Sequence, residues 1–487
     1  EIYRRTSEII TDRAIERRKK VLPPDSLLMY ADAPLYQPYL DSITSTGANI
    51  LLRLRWRNYT VIEADSAIID KISKFTFIDT ITATSSKLTT HFINIKSEPH
   101  NSGNILNLPG NCGAFDYGDS FTQADFINVD DVHSLGITGE GVLLGFLDTG
   151  FNWKNHNSMD HADVIAEYDF IFRDSVTANQ QADTSVQHSH GTNIFSIAAG
   201  FDQGNLIGTC PNASFILAKT ENIRSETNIE EDNYAAAIEW LEARGVDITS
   251  SSLGYKNFDS LQYSYPFSDL DGNTTITARS LNDAARRGVI CVTSAGNNGP
   301  KGHTIRTPAD ADSAIAVASI KIDSLGNVVT SEFSSRGPNA DGELKPNISA
   351  LGEKIVGANA YEPDKYLKVG GTSAVSPQIA GSIALILSRF PELPPWKIRE
   401  LLYRSADQAN NPDSIRGYGI PDIFKAMKSA GIVISPPITY PVKNFQRSAF
   451  FIIPEYNLNR ADLYARFTGS LNFEKYRMYP TGMDNLY

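Results

Sequence analysis

Three residues far apart in the chain have the types that nucleophilic catalysis requires. Asp148 follows the apolar run "GVLLGFL", His190 opens the small-residue stretch "HGTNIFSIAAG", and Ser373 follows a Gly-Gly-Thr turn before a long helical pattern. A serine hydroxyl becomes a nucleophile when an imidazole accepts its proton, and the imidazole needs a carboxylate to fix its tautomer. Taken singly, they are better explained as an acid at a strand end, a structural histidine and a helix N-cap. Together they predict a catalytic triad.

The surroundings of Ser373 argue against a lipase-type esterase, whose nucleophile lies in a Gly-x-Ser-x-Gly turn. Val375 stands where that pattern has its second glycine. The chain order Asp, His, Ser, with its flanking residues, instead resembles the subtilisin-like serine proteases, or subtilases, over the central part of the chain. This resemblance implies that Ser373 attacks the peptide carbonyl, that His190 acts as base and then as acid, and that Asp148 orients the imidazole.

The resemblance also assigns residues around the cleft. The segment "TSAGNNGP" is similar to the family segment whose asparagine completes the oxyanion hole, which implies this role for Asn297. The segment "SSSLG" is similar to the strand that pairs with bound peptide, which implies three substrate-binding residues, Ser252, Leu253 and Gly254. Counting back from the next Thr-Pro pair places Arg306 at the floor of the specificity pocket, where it would favour Asp or Glu before the scissile bond. The alternative is an Arg306 side chain turned outward to solvent.

Alternating apolar and helical segments predict the scaffold that would hold these residues. Five runs are typical of strands covered on both faces of a parallel sheet: "VLLGFLD", "SFILAKT", "VDITSSSLG", "GVICVTSAG" and "AIAVASI". Two helical patterns, "NIEEDNYAAAIEWLEARG" and "ITARSLNDAARRG", each end at a glycine. The predicted fold is therefore α/β, a subtilisin-like parallel sheet flanked by helices, with Asp148 at the carboxyl edge where such sheets carry their sites.

The chain divides into four predicted parts. Residues 1–84 form a small α+β module with a helix in "TSEIITDRAIERRKK", paired strands in "ANILLRLRWRNYTVIEAD", a helix in "SAIIDKISKF" and a strand in "TFIDTITAT". Residues 85–119 are a linker rich in Ser, Asn, Gly and Pro, residues 120–432 the catalytic domain, and residues 433–487 an extension with strand character. The first module resembles the prosegments of bacterial secreted subtilases, which implies an intramolecular inhibitor. An unrelated accessory domain is the alternative.

Composition limits the partners and cofactors. A net charge of −12 over 487 residues disfavours a phosphate-backbone binder, so nucleic acid is excluded as a partner. No apolar run reaches the ~20 residues of a transmembrane helix. The three cysteines, Cys112, Cys210 and Cys291, lack CxxC spacing; Cys291 fits a buried apolar position, and a bridge between the other two stays open. The resemblance implies no cofactor for the chemistry and leaves a structural calcium ion open.

These observations predict a serine endopeptidase, secreted or held in the cell envelope, that cleaves proteins or peptides. It is expected to release its own prosegment by cutting between Thr84 and Asp119. The numbering contains no signal peptide, so the localisation has to be inferred indirectly. The resemblance to a prosegment favours export. The alternative is a catalytically silent binding or adhesion protein with the subtilase fold and an occluded cleft. An intact triad together with Asn297 favours the enzyme.

Overall fold

The computed structural model describes most of the chain. Three continuous ranges cover residues 9–84, 115–259 and 262–436. Beyond them it describes five short stretches, residues 438–442, 445–449, 452–453, 462–465 and 474–478.

The strands are numbered in chain order. They are β1 (Asn49–Leu54), β2 (Tyr59–Glu63), β3 (Leu143–Asp148), β4 (Asp163–Asp169), β5 (Phe201–Asp202), β6 (Leu206–Ile207), β7 (Ser214–Lys219), β8 (Ile248–Ser251), β9 (Ile290–Ser294), β10 (Ile315–Ile322), β11 (Val328–Thr330), β12 (Ile348–Leu351), β13 (Ile355–Ala358), β14 (Tyr366–Val369), β15 (Val433–Ile434), β16 (Ile438–Val442), β17 (Phe445–Ala449), β18 (Ile452–Ile453), β19 (Asp462–Ala465) and β20 (Glu474–Arg477).

The α-helices are numbered in the same way. They are α1 (Asp12–Arg18), α2 (Gln37–Ser45), α3 (Ser66–Ile72), α4 (Phe121–Asp125), α5 (Val129–Ser134), α6 (Ser189–Ala199), α7 (Ile229–Ala243), α8 (Ile276–Arg286), α9 (Val375–Arg389), α10 (Pro395–Ser405) and α11 (Ile423–Ala430).

A central sheet of eight strands carries the fold. Its order is β11-β10-β9-β8-β3-β7-β4, and β12 also pairs with β10. Every pairing in it is parallel except that of β10 with β11. The five predicted apolar runs are β3, β7, β8, β9 and β10, so the prediction of a parallel sheet from continuous apolar runs is confirmed.

Helices cover both faces of this sheet. Along β3, Leu144 and Phe146 pack in the core that contains α6 and α9, whereas Leu143 and Leu147 pack in the core that contains α7 and α8. Successive side chains of a strand point to opposite faces, so α6 and α9 lie on one side and α7 and α8 on the other. This is the predicted α/β architecture.

The N-terminal unit is an α+β module, as predicted, but it contains a helix that was not predicted, α2 (Gln37–Ser45), and two predicted elements differ. Helix α1 begins at Asp12 because the side chain of Thr11 accepts the N–H of Ala14, so among the described residues the helix is shorter than its pattern. The strand predicted in "TFIDTITAT" is wrong. The N–H of Ile78 donates to the carbonyl of Phe75 at 3.0 Å, which forms a turn there. In the described residues, β1 and β2 pair only with each other, so this segment has no strand to join.

The chain beyond the catalytic region has the predicted strand character. Strand β15 pairs with β18, β16 with β17 and β19 with β20, all antiparallel. The predicted linker lies almost wholly outside the described residues. No helix in the described ranges is both long and apolar enough to cross a bilayer. Cys210 and Cys291 are buried free cysteines, and Cys112 lies outside the described residues.

Candidate active site

Asp148 and His190 form a hydrogen-bonded pair at the edge of the sheet. Asp148 is the last residue of β3, a strand buried along its whole length, and His190 lies in the first turn of α6. Nδ1 of His190 donates to Oδ1 of Asp148 at 2.7 Å. The approach is close because Gly191 has no side chain: a Cβ there would lie 2.2 Å from the carbonyl oxygen of Gly150. With Nδ1 holding the proton, Nε2 is free to accept one.

The carboxylate of Asp148 tunes the basicity of His190. Asp148 is almost fully buried, whereas 43% of the His190 side chain is exposed. Burial lowers the pKa of His190, but the charge of Asp148 and its hydrogen bond together raise it by more, so the pKa lies above its ordinary value. Oδ1 of Asp148 also accepts the N–H of Thr149 at 2.7 Å, while the buried Oδ2 has no partner among the described residues. This carboxylate stays available to stabilise an imidazolium.

Ser373 lies in the turn that precedes α9. The turn Thr372–Ala374 is a short 3-10 segment, and it contacts α6, the helix of His190. The hydroxyl of Ser373 donates to the carbonyl of Ser252 at 3.3 Å, and the hydroxyl of Ser252 donates back to the carbonyl of Ser373 at 2.9 Å. The hydroxyl therefore donates toward the end of β8, and attack requires it to donate to Nε2 of His190 instead.

Asn297 is oriented by a residue that the sequence did not single out. Its Oδ1 accepts both the N–H and the hydroxyl of Thr372, each at 3.0 Å. Because the oxygen is thus occupied, Nδ2 is the end left to donate. That nitrogen lies 3.3 Å from the position a Cβ would take on Gly371, whose φ of +122° is a region that favours glycine. Nδ2 and the N–H of Ser373 can serve as two donors to one oxyanion.

One cavity brings together six of the predicted site residues. It has a volume of about 250 Å³ and is lined by, among others, Ser252, Leu253, Gly254, Asn297, Arg306 and Ser373. The guanidinium of Arg306 donates from Nε to Oδ1 of Asn298 at 2.6 Å and from Nη1 to the carbonyl of Gly254 at 3.1 Å. Asp148 and His190 are not among the lining residues.

The described side chains offer no support for a metal centre. No group of three or more His, Cys, Asp or Glu residues in the described ranges could hold an ion. The structural calcium ion that the resemblance leaves open therefore stays a prediction.

Buried charges join the N-terminal unit to α7 and to the end of α8. Arg17 and Arg18, at the end of α1, both pair with the carboxylate of Glu242 in α7. Arg18 also pairs with Asp32, which in turn faces Arg287 at 3.4 Å. All five side chains are at most 5% exposed. The sequence suggested only that the basic end of α1 suits the helix dipole, because nothing local identifies a partner more than 200 residues away.

The hairpin β1–β2 contacts α7 one turn before Glu242 and again near the start of the helix. The carboxylate of Glu239 accepts the backbone N–H groups of Arg55 at 2.9 Å and Trp56 at 3.0 Å. The hydroxyl of Tyr59 donates to Asp232 at 2.5 Å. Acidic side chains of α7 thus supply acceptors for the N-terminal unit along the length of the helix.

Comparison with known proteins finds family matches for both the N-terminal unit and the central part of the chain. A family model described as "Subtilase family" matches residues 139–419, and one described as "Peptidase S8 propeptide domain, Bacteroidota" matches residues 1–101. Subtilisin DY of Bacillus licheniformis is 28% identical over 285 residues, which is 58% of this chain and 89% of that protein. Serine protease AprX of Bacillus subtilis (strain 168) is 28% identical over 309 residues, 58% of this chain and 65% of that protein. The solved structure of Sphericase covers 58% of this chain and 92% of its own, with 25% identity and a TM-score of 0.47.

Proposed function

Because this chain belongs to the subtilase family of serine proteases and carries a propeptide domain of that family, we propose that it is an endopeptidase working through Asp148, His190 and Ser373. The observation that carries this proposal is the 2.7 Å hydrogen bond between His190 and Asp148, on a helix that contacts the turn of Ser373. A buried carboxylate that fixes an imidazole beside a serine is the arrangement that activates a hydroxyl.

The reaction begins when a peptide carbonyl enters the cavity beside Ser373. Nε2 of His190 takes the hydroxyl proton as Oγ attacks, and the imidazolium is stabilised by Asp148. Nδ2 of Asn297 and the N–H of Ser373 donate to the oxyanion that develops. His190 then gives its proton to the leaving amine, which leaves an acyl group on Ser373. Water attacks this acyl group as His190 takes its proton, and His190 returns the proton to Oγ of Ser373 as the acid product leaves.

We also propose that the enzyme removes its own prosegment and acts outside the cytoplasm. The propeptide match and the buried interface with α7 support an inhibitor that must be displaced before substrates are cleaved. The expected cut, between Thr84 and Asp119, lies largely outside the described residues.

Labelling with a fluorophosphonate probe tests the proposal directly. We expect the wild-type chain to be labelled and to lose its N-terminal unit on incubation, and the variant Ser373→Ala to do neither. Ser376→Ala is the matched control, because Ser376 lies one helical turn after Ser373. Its hydroxyl is buried and forms a hydrogen bond with the hydroxyl of Ser250 at 3.1 Å. An unlabelled wild-type chain that cleaves no peptide would instead support the silent binding protein.

A further inference from the structure

One charged side chain faces the cavity beside the nucleophile. Of the described residues that line this cavity, Arg306 alone carries a charge. It is half-buried, and its described hydrogen bonds go to a neutral amide and a backbone carbonyl. The carboxylate of Glu226 is close enough for the charge of Arg306 to lower its pKa, but the described contacts include no hydrogen bond or ion pair between the two. A partly desolvated cation that forms no direct ion pair attracts an anion that reaches it more strongly than an exposed one does, because the surroundings screen its charge less than bulk water does.

The stem of Arg306 is held between two glycines. A Cβ on Gly254 would lie 3.3 Å from the Cβ of Arg306, and a Cβ on Gly296 would lie 3.5 Å from its Cγ. Because neither wall carries a side chain, the arginine fits between them without displacing either segment. Hydrogen bonds to Asn298 and Gly254 then fix the plane of the guanidinium.

Two donors remain free at this end of the cavity. Nη2 of Arg306 makes no hydrogen bond to any described residue, since its partners are bound through Nε and Nη1. The amide of Asn298 accepts from Arg306 at Oδ1, so its Nδ2 also points away from the arginine and has no described partner. A pair of N–H donors, one of them cationic, matches the two oxygens of a carboxylate.

We propose that Arg306, assisted by Asn298, makes this protease prefer Glu or Asp at the residue that contributes the attacked carbonyl. Asn297 and Ser373, which would hold that carbonyl, line the same cavity as Arg306. The substrate residue that contributes the carbonyl therefore places its own side chain in this cavity. A Lys or Arg in that position meets a like charge and is disfavoured. The inference rests on the proposed function and adds the class of substrate to it.

The test compares fluorogenic peptides that differ only at this residue, with Glu, Asp, Leu or Lys. The full chain is incubated until fluorophosphonate labelling is constant, and kcat/KM is referred to the labelled fraction. We expect the wild type to prefer Glu and Asp. In Arg306→Gln the ratio of kcat/KM for Glu over Leu should fall about 10–100-fold, the loss of one charge-assisted contact. Arg306→Glu should shift the preference to Lys.

A nearby charge provides the control for long-range electrostatics. Lys301 is exposed and does not line the cavity, so Lys301→Gln should leave the Glu to Leu ratio within about twofold. A wild type that is labelled and cleaves peptides, but prefers large apolar residues, overturns the inference and leaves the proposed function standing, whatever the variants do. A wild type with no labelling and no cleavage overturns the proposed function, and this inference with it.

Discussion

Replacing Glu242 by Gln will loosen the prosegment from the catalytic domain. The carboxylate of Glu242 is fully buried and pairs with both Arg17 and Arg18 of the prosegment. Gln keeps the shape and one acceptor oxygen but removes the negative charge. Arg18 then keeps only its ion pair with Asp32, which also faces Arg287, and Arg17 loses its ion pair and keeps the charge of Asp247 at longer range. Removing one partner of a buried ion pair is costly because the other charge stays desolvated.

The size of the effect follows from burial. Such a removal costs about 3–5 kcal/mol when both partners are buried. Because Gln still accepts one hydrogen bond, we take the lower end, about 3 kcal/mol, which at 1.36 kcal/mol per factor of ten is roughly a hundredfold rise in the equilibrium constant for prosegment opening. Solvent does not screen the ion pair of Arg18 with Glu242, because both side chains are 0% exposed.

Amide hydrogen exchange measures this opening within the intact chain. In a Ser373→Ala background, which is expected to prevent processing, Glu242→Gln should lower the protection of the β1–β2 amides about a hundredfold and leave that of β3 unchanged. The control is Glu16→Gln, because Glu16 lies on the exposed side of the same prosegment helix and pairs with Lys19. An exposed pair contributes less than about 1 kcal/mol, so the control should lower protection by no more than about fivefold. Equal effects of the two substitutions would refute the role of burial.

Three further outcomes are expected. Asp148→Asn removes the carboxylate that raises the pKa of His190, so fluorophosphonate labelling should slow by about 10⁴ and its acidic limb should move to lower pH; an unmoved limb contradicts the coupling. Asn297→Leu should lower kcat by about 10²–10³ with little change in KM, the magnitude known for this donor in subtilisin itself, and a near-normal kcat would remove Asn297 from the site. Burial raises the pKa of Asp232 to about 6, against the hydrogen bond from Tyr59 that lowers it. The folded state therefore binds this proton more tightly than the unfolded state does. The resulting stabilisation, about 3 kcal/mol, is fully present below pH 3.8 and is lost as the pH rises to about 6. Urea unfolding from pH 4 to 7 should therefore show a fall in stability that is smaller in Asp232→Asn by about 3 kcal/mol. A fall remains in the variant because burial also raises the pKa of other carboxyls, such as Glu231, and an unchanged fall would contradict the prediction.

The catalytic region was predictable because its chemistry lies where local sequence constrains the backbone. Asp148 ends a strand whose apolar residues alternate between two cores, which is why a continuous apolar run predicts burial on both faces. Ser373 lies two residues after Gly371, whose φ is +122°, and His190 directly precedes Gly191, which a residue with a side chain could not replace. Each segment carries its own signal, so the elements could be found one at a time.

What the sequence missed depends on contacts between distant segments. The basic end of α1 has the pattern of a solvated last turn, yet Arg17 and Arg18 are buried because Glu242 lies across the interface. The orientation of Asn297 depends on Thr372, 75 residues away. The run "TFIDTITAT" has strand-forming residues, but a strand also needs a neighbouring strand to pair with. Strand propensity gives no information about such a neighbour, and among the described residues no strand pairs with this segment.

The positions of the prosegment contacts along α7 bear on how inhibition would end. Glu242, which holds the buried arginines, lies near the end of this helix, while the carbonyl of Thr84 accepts the N–H of Ile229 at its first residue, at 3.0 Å. The helix has 15 residues, so these contacts are separated by roughly 20 Å along its axis. A cut beyond Thr84 therefore breaks none of the ion pairs with Glu242. The severed prosegment would stay bound through them, and we expect full activity to require a later cut within the prosegment itself, after which α1 no longer shares a chain with the hairpin β1–β2.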